Sequence, residues 1–303
     1  MNDLHISFYQ QDIFWGDAEA NRRAVEKMLK QLNNSEKLMK EFQLGYLAEH
    51  TDIFIVPETF TTGFGDHMAA LAEKPLGPTL RWAQSMAAKY NLLFVGTWIV
   101  REGDKCYNRL HWVYPNGNFG YYDKAHTFRV SGEADQIARG TSRKVFEYKG
   151  WRIKPAVCYD LRFPKWLRNK SENSDYSEYS DYSEKTLDYD LLLICANWPG
   201  SRHEAWTTLL KARAIENLCY VIGCNRCGID AHGGEYTGNS AIIDYKGFAL
   251  AEAETEPEAN TVADGSTVGK KQTVGKEQTI SFTIHKDKLD SFRQKWPLYL
   301  DFD

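Results

Sequence analysis

The chain lacks any apolar run long enough to cross a bilayer. Its richest stretch, NLLFVGTWIV at residues 91–100, falls well short of the roughly 20 residues a spanning helix needs. It lacks a basic leader too: MNDLHISFYQQDIFWG carries an acid at its third position, so a secretory signal is not expected. The Asn-x-Ser matches at Asn33 and Asn169 therefore carry little weight as glycosylation sites. Nor is there a strong charge of one sign. Lys and Arg number 37 against 41 Asp and Glu, a formal net charge of −4, which offers no electrostatic footprint for nucleic acid or an anionic membrane. Cysteine is too sparse for a disulfide scaffold: six occur in 303 residues, at 106, 158, 195, 219, 224 and 227, and a chain of this length can stabilise itself without cross-links. A reducing, cytoplasmic setting is expected. Only Cys224 and Cys227 stand at motif spacing, in GCNRCG, and no second C-x-x-C supplies the two further ligands of a zinc site. No metal is expected there, and the pair reads as coincidence ahead of a redox motif.

What is present is an ordinary globular composition, 43% hydrophobic and 26% charged, in which strand-like and helix-like stretches alternate. That alternation predicts an α/β layered fold. LHISFYQ (4–10) reads as a strand, followed by a helix from about Ala18 capped by Asp17, with Val25, Met28 and Leu29 on one face. DIFIVPE (52–58) reads as a buried strand, and a second helix starts at about Pro78, proline being favoured at a first helical position. LLFVGTWIV follows as a strand. YNRLHWVY and FGYYDK then flank PNGN, whose Asn116-Gly117 predicts a type I′ hairpin. Further strands are expected in WRIKPAVCYD, DYDLLLICANWP (188–199), YVIGCN and TISFTIH (279–285), with a hairpin in NSAIIDYKGFAL. Ser201 and Glu204 stand at capping-box spacing before a helix expected to run to about Tyr220. Two segments, SENSDYSEYSDYSEKT at about 171–186 and a Gly/Thr/Lys-rich tract at about 254–278, have little to bury and read as polar loop excursions of a single domain spanning 1–303.

PAVCYDLRFP (155–164) sets Cys158 at the end of an apolar run. Free cysteine is more often a small core residue than a nucleophile, so partners decide the matter. Glu58 follows the apolar IFIVP, and Lys124 ends the strand FGYYD. Alone, Glu58 reads as a solvated strand end or a catalytic base, and Lys124 most often as a surface charge. Together they share one position: the carboxyl edge of strands, where open α/β sheets collect ligands. Their chemistry is complementary as well. A thiol attacks as the thiolate, an ammonium favours that form and can hold an oxyanion, and a carboxylate can carry the proton. A Cys–His arrangement remains a rival at this point, with His126 and His203 as its histidines.

VPETFTTGF, YDKAHTF, CYDLRFP and ANWPGSRHEAWTTLLKARAIENLCYVIGCNRCG together resemble the nitrilase superfamily, and within it the bacterial omega-amidase branch that hydrolyses 2-oxoacid amides. The resemblance implies a four-layer α-β-β-α sandwich, a Glu58–Lys124–Cys158 triad, and a second glutamate, matched by Glu133 in VSGEADQ, that positions the lysine and substrate. It also implies an oxyanion contact from the backbone N–H of Tyr159, a small amide substrate with water as co-reactant, no cofactor, and homodimers paired through the helix at 204–220 and the C-terminal tail. Tyr159 and Asp160 after the cysteine fit the amidase-like branch, whereas nitrilases proper and carbamoyl hydrolases tend to carry tryptophan there. The expected substrates are dicarboxylate monoamides such as 2-oxoglutaramate and 2-oxosuccinamate. Their free carboxylate needs a cation; Arg202 is the preferred partner and Arg129 the second choice, while Arg162 and Arg213 read as structural ion pairs. Phe128 and Trp198 either wall the pocket or belong to the core. Another small amide, a nitrile or a carbamoyl compound is the alternative substrate, and a catalytically idle interaction module the alternative role.

Overall fold

The computed structural model describes residues 3–41, 50–170, 187–254 and 274–301. In chain order its strands are β1 (Asp3–Gln10), β2 (Ile53–Ile55), β3 (Leu93–Glu102), β4 (Lys105–Val113), β5 (Phe119–Asp123), β6 (Phe146–Tyr148), β7 (Trp151–Val157), β8 (Leu191–Ala196), β9 (Tyr220–Asn225), β10 (Cys227–Ile229), β11 (Glu235–Thr237), β12 (Ala241–Ile243), β13 (Ala249–Glu252) and β14 (Gln278–His285). Its helices are α1 (Ala18–Glu41), α2 (Pro78–Tyr90), α3 (Glu133–Gln136), α4 (Pro164–Leu167), α5 (His203–Asn217) and α6 (Lys286–Lys295).

Two six-stranded sheets carry the molecule, ordered β14-β1-β2-β3-β4-β5 and β13-β12-β9-β8-β7-β6. Each is built around three parallel strands, β1–β2–β3 and β7–β8–β9, flanked by antiparallel neighbours. The central parallel strands β2 (IFI) and β8 (LLLICA) are wholly apolar, as strands buried on both faces require. The sheets pack face to face: Leu4, Ile6, Phe8, Ile53 and Ile55 of the first share one core with Leu191, Leu193, Ile222 and Cys224 of the second. Cys224 Sγ reaches across to the carbonyls of Tyr9 and Ile55 at 3.6 and 3.7 Å. The outer face of the first sheet, with Phe54 and Phe94, is covered by Val25 and Leu29 of α1 and Leu80, Ala83 and Met86 of α2. The outer face of the second takes Trp206, Leu210 and Ala214 of α5. Gly223 permits that approach, since a Cβ there would lie 2.6 Å from Trp206. The result is the expected α-β-β-α sandwich.

Asp17 caps α1, accepting from Ala20 N–H at 2.9 Å, and Pro78 opens α2, both as the sequence suggests. Three expectations are corrected. The 114–118 turn is not type I′: Tyr114-Pro115-Asn116-Gly117 closes through Gly117 N–H to Tyr114 O at 2.9 Å, and only Gly117 has positive φ. Proline fixes φ near −65° and so cannot enter a turn that needs two positive values. The Ser201–Glu204 capping box does not form. Residues Gly200–Arg202 make a 3-10 turn, α5 starts at His203 with no side-chain cap, and it stops at Asn217, where Leu218 turns left-handed with φ +49°. The end of the second polar tract is anchored rather than solvated: Glu277 accepts from Tyr9 OH, Gln10 Nε2 donates to Lys276 O at 2.9 Å, and Gln278 already belongs to β14. Residues 171–186 and 255–273 lie outside the described residues. No helix among the described residues is long and apolar enough to cross a membrane.

Candidate active site

The carboxyl ends of β2, β5, β7 and β8 converge on one point, and each delivers a polar side chain just past its last strand residue: Glu58, Lys124, Cys158 and Asn197. The two sheets are joined there. Glu58 N–H donates to Ala196 O at 3.3 Å, and Asn197 N–H returns to Glu58 Oε2 at 2.8 Å. Thr59, next to Glu58, and Cys158 itself both adopt positive φ, +47° and +44°. Such conformations cost energy for residues with a Cβ and persist only where their surroundings enforce them. At Cys158 the enforcement is visible. Asp160 accepts from Val157 N–H at 3.0 Å, from Tyr122 OH at 2.8 Å and from His126 N–H at 2.9 Å, stapling the cysteine's turn to the segment that carries Lys124.

Lys124 is the centre of a buried charge cluster. Its Nζ lies 2.8 Å from Glu58 Oε1 and 2.9 Å from both oxygens of Glu133. Asn108 Nδ2 donates to Glu58 at 2.7 Å and to Glu133 at 3.3 Å, and Phe128 N–H donates to Glu133 at 2.6 Å. Glu58 and Glu133 are fully buried and Lys124 is 1% exposed. Burial disfavours the ammonium, but the carboxylates of Glu133 and Glu58 hold its pKa above the ordinary lysine value. Burial raises the Glu133 carboxyl; Lys124 opposes that rise and Glu58 adds to it. The Cys158 thiol is pushed well above its ordinary value by burial and by the Glu58 charge, with Lys124 pulling the other way. The resting group is therefore a thiol, and the adjoining carboxylate can take its proton as the sulfur attacks.

A cavity of about 290 Å³ opens onto this cluster, lined by Lys124, Cys158, Asn197, Phe64, Phe128, Ser131, Tyr159, Trp198, Pro199 and two arginines, Arg162 and Arg202. Among the described residues no acidic side chain lines it. Tyr159 follows the cysteine at the start of a 3-10 turn (Cys158–Arg162), whose first N–H groups have no partner within the turn. Trp198 serves both roles considered for it: it walls the cavity, is 3% exposed within the core, and donates from Nε1 to Arg202 O at 2.9 Å. Phe128 also lines the cavity, with the Arg202 guanidinium 5.3 Å over its ring. Arg129 does not line this cavity. It lies on a neighbouring hollow of about 620 Å³ with His126 and Arg139. Arg213 is the structural residue expected, paired with Glu216 at 2.9 Å and donating to Leu161 O. Arg162 is not: among the described residues it has no ion pair, and it rests 4.8 Å over the Trp198 ring.

The histidine rival loses its footing. His126 Nδ1 sits 2.7 Å from Asp160 with its ring stacked on Phe163 at 3.7 Å, and His203 Nδ1 donates to Gly200 O at 2.9 Å. Neither lines the cavity over Cys158. Cys224 and Cys227 are unpaired, buried thiols, and burial raises both. Among the described residues the one metal-ligand grouping, Asp3, His285 and Asp287, includes the first residue of β1, at the opposite edge of the sheet from the cavity. Asn108 and Asn197 escape the sequence reading, as does the stapling role of Asp160. The signal of the two asparagines is a polar residue inside or directly after an apolar strand, which has no reason to be there without a buried partner. Phe64, an apolar wall of the cavity, carries no such signal.

Fold and site together define a hydrolase of the nitrilase type, acting on carbon–nitrogen bonds other than peptide bonds. The chain belongs to the carbon-nitrogen hydrolase family, whose profile matches residues 5–266. It is 39% identical over 254 residues to omega-amidase YafV of Yersinia enterocolitica, covering 84% of this chain and 86% of the relative. To the 2-oxoglutaramate amidase of Bacillus subtilis it is 33% identical over 226 residues, 73% of this chain and 82% of that one. Among solved structures it resembles XC1258 of Xanthomonas campestris, a CN-hydrolase superfamily protein with an arsenic adduct in its active site. The TM-score is 0.82 with 37% identity, over 100% of this chain and 98% of that one.

Proposed function

We propose that the protein is an omega-amidase that hydrolyses the terminal amide of small 2-oxo-dicarboxylate monoamides, 2-oxoglutaramate and 2-oxosuccinamate, through a thioester on Cys158. The observation that carries this reading is a cavity with the Cys158 thiol and the Lys124 ammonium at its floor and only cations among its charged lining residues. Its volume is at the small end of ligand sites, which favours short substrates. An anionic tail entering it meets no carboxylate among the described lining residues, and Arg202 offers a planar fork that matches a carboxylate bidentately.

Glu58 takes the Sγ proton as sulfur bonds to the amide carbon. The carbonyl electron pair moves onto oxygen, where Lys124 Nζ and the Tyr159 N–H stabilise it. Collapse breaks the C–N bond, and the departing amine takes the proton from Glu58 and leaves as ammonia. Water then attacks the thioester while Glu58 accepts its proton; the tetrahedral centre expels the sulfur, which recovers that proton, and the carboxylic acid is released. Glu133 is a positioning residue that holds Lys124. The reaction needs no metal or organic cofactor in this scheme, and its partners are the amide and water. Apolar side chains left exposed on α5 (Ile215), the β12–β13 turn (Phe248) and the tail (Trp296, Leu298) support a homodimer, and the free cysteines support a cytoplasmic setting.

Ammonia release from 2-oxoglutaramate and succinamate, beside a nitrile and a carbamoyl compound, tests the reading. Preference for the ω-amides supports it, and turnover confined to the nitrile or carbamoyl compound overturns the substrate assignment. Arg202→Met should raise KM for ω-amides far more than for a neutral amide; equal effects on both would make Arg202 structural.

A further inference from the structure

Each buried arginine is tied down by an acid: Arg109 by Asp123 and Glu102, Arg213 by Glu216, Arg226 by Asp12, Arg293 by Asp190. Arg162 and Arg202 differ. Both are exposed, both line the cavity over Cys158, and neither has an ion pair among the described residues. Each guanidinium lies over an aromatic ring, Arg162 over Trp198 at 4.8 Å and Arg202 over Phe128 at 5.3 Å. Stacking of this kind orients the guanidinium plane and leaves its edge N–H groups free. Two like charges therefore face one small cavity with no acid among its described lining residues, which is an arrangement that an acceptor-rich ligand completes.

A 2-oxo acid head presents three acceptors, two on the carboxylate and one on the adjacent carbonyl. One guanidinium satisfies two of them in a bidentate fork, and the third is left without a donor. We infer that Arg162 is a specificity-determining residue that donates to the 2-oxo oxygen of the substrate while Arg202 takes the carboxylate. The inference rests on the omega-amidase reading. Its assignment of ends follows from the chain: Arg162 belongs to the turn that begins at Cys158, whereas Arg202 ends the separate turn Gly200–Arg202. In the substrate the 2-oxo carbon lies between the carboxylate and the chain leading to the amide, on the side nearer the nucleophile. A site that hydrogen-bonds a substrate oxygen discriminates against the analogue lacking it, because its donor is then left unmatched.

The test compares 2-oxoglutaramate with glutaramate, the same chain without the 2-oxo group, on wild type, Arg162→Gln and Arg162→Lys. Arg162→Gln should lower kcat/KM for 2-oxoglutaramate by at least about tenfold, the size of a hydrogen bond from a charged group, with glutaramate changed by less than about threefold. Arg162→Lys should recover part of the preference, since it keeps the charge without the fork. Melting temperatures should match wild type, because no ion pair is removed. A parallel fall for both substrates, or no fall for either, overturns the role of Arg162 while leaving the omega-amidase reading intact. Failure of the wild type on both substrates overturns that reading, and this inference with it.

Discussion

Replacing Glu133 by glutamine keeps the shape of the side chain and removes one charge from the buried cluster. Lys124 Nζ contacts both Glu133 oxygens at 2.9 Å, and one of those oxygens also accepts from Phe128 N–H at 2.6 Å. Glutamine can keep one acceptor, so one charge-assisted contact to the ammonium is lost. A hydrogen bond to a charged group contributes about 1.5–3 kcal/mol. At about 1.4 kcal/mol per factor of ten, and with the contact fully expressed where Lys124 holds the oxyanion, kcat should fall by about 10- to 200-fold. KM should move by less than about threefold, because Glu133 does not line the substrate cavity. The assay is steady-state ammonia release from 2-oxoglutaramate, with thermal melts run in parallel. Since the contact also holds the native fold together, a lowered melting temperature is expected too and does not by itself decide the matter. A kcat within about twofold of wild type would refute the positioning role. A raised KM at unchanged kcat would mean that Glu133 acts on the substrate instead.

Two further outcomes follow from the same electrostatics. Under native conditions a thiol reagent should label Cys158 alone, because it is the one cysteine lining the cavity while burial raises Cys195, Cys219, Cys224 and Cys227. The rate should climb as pH rises beyond neutrality, since burial and Glu58 keep the thiol protonated; equal labelling of Cys227 would contradict this. Asp190 is buried, which works to raise its carboxyl, yet Arg152, Arg293 and Lys286 hold it at about 2 against an ordinary 3.8. Its folded value lies below the unfolded one, so the stabilisation, on the order of 2 kcal/mol, is present above about pH 4 and is lost as pH falls towards 2. Melting curves across that window should drop more steeply for wild type than for Asp190→Asn, and parallel curves would refute the assignment.

The sequence exposed the candidate catalytic frame because strand ends are legible. An apolar run that stops at a glutamate, a lysine or a cysteine marks the carboxyl edge of a sheet, and Glu58, Lys124 and Cys158 all stood there. The layering was legible for the same reason, since the parallel strands and the faces of α1 and α2 follow simple periodicities. What escaped depends on three-dimensional context. Pro115 overrode the Asn116-Gly117 hairpin signal through its fixed φ. Ser201 has capping spacing, but the chain spends those residues in the turn that brings Arg202 to the cavity. Arg162 read as a structural cation because sequence spacing offers no way to see that no carboxylate among the described residues pairs with it, and that it rests over Trp198 instead. Asn108 and Asn197 are single polar residues in apolar surroundings, and only the fold shows that both touch Glu58.

Whether Cys158 carries the acyl group is decided by ammonia release from 2-oxoglutaramate by wild type and Cys158→Ala. The substitution removes little volume, so the variant should melt close to wild type. Release by the wild type is expected, with none above background from the folded variant. Retained release in the variant would contradict the thioester mechanism.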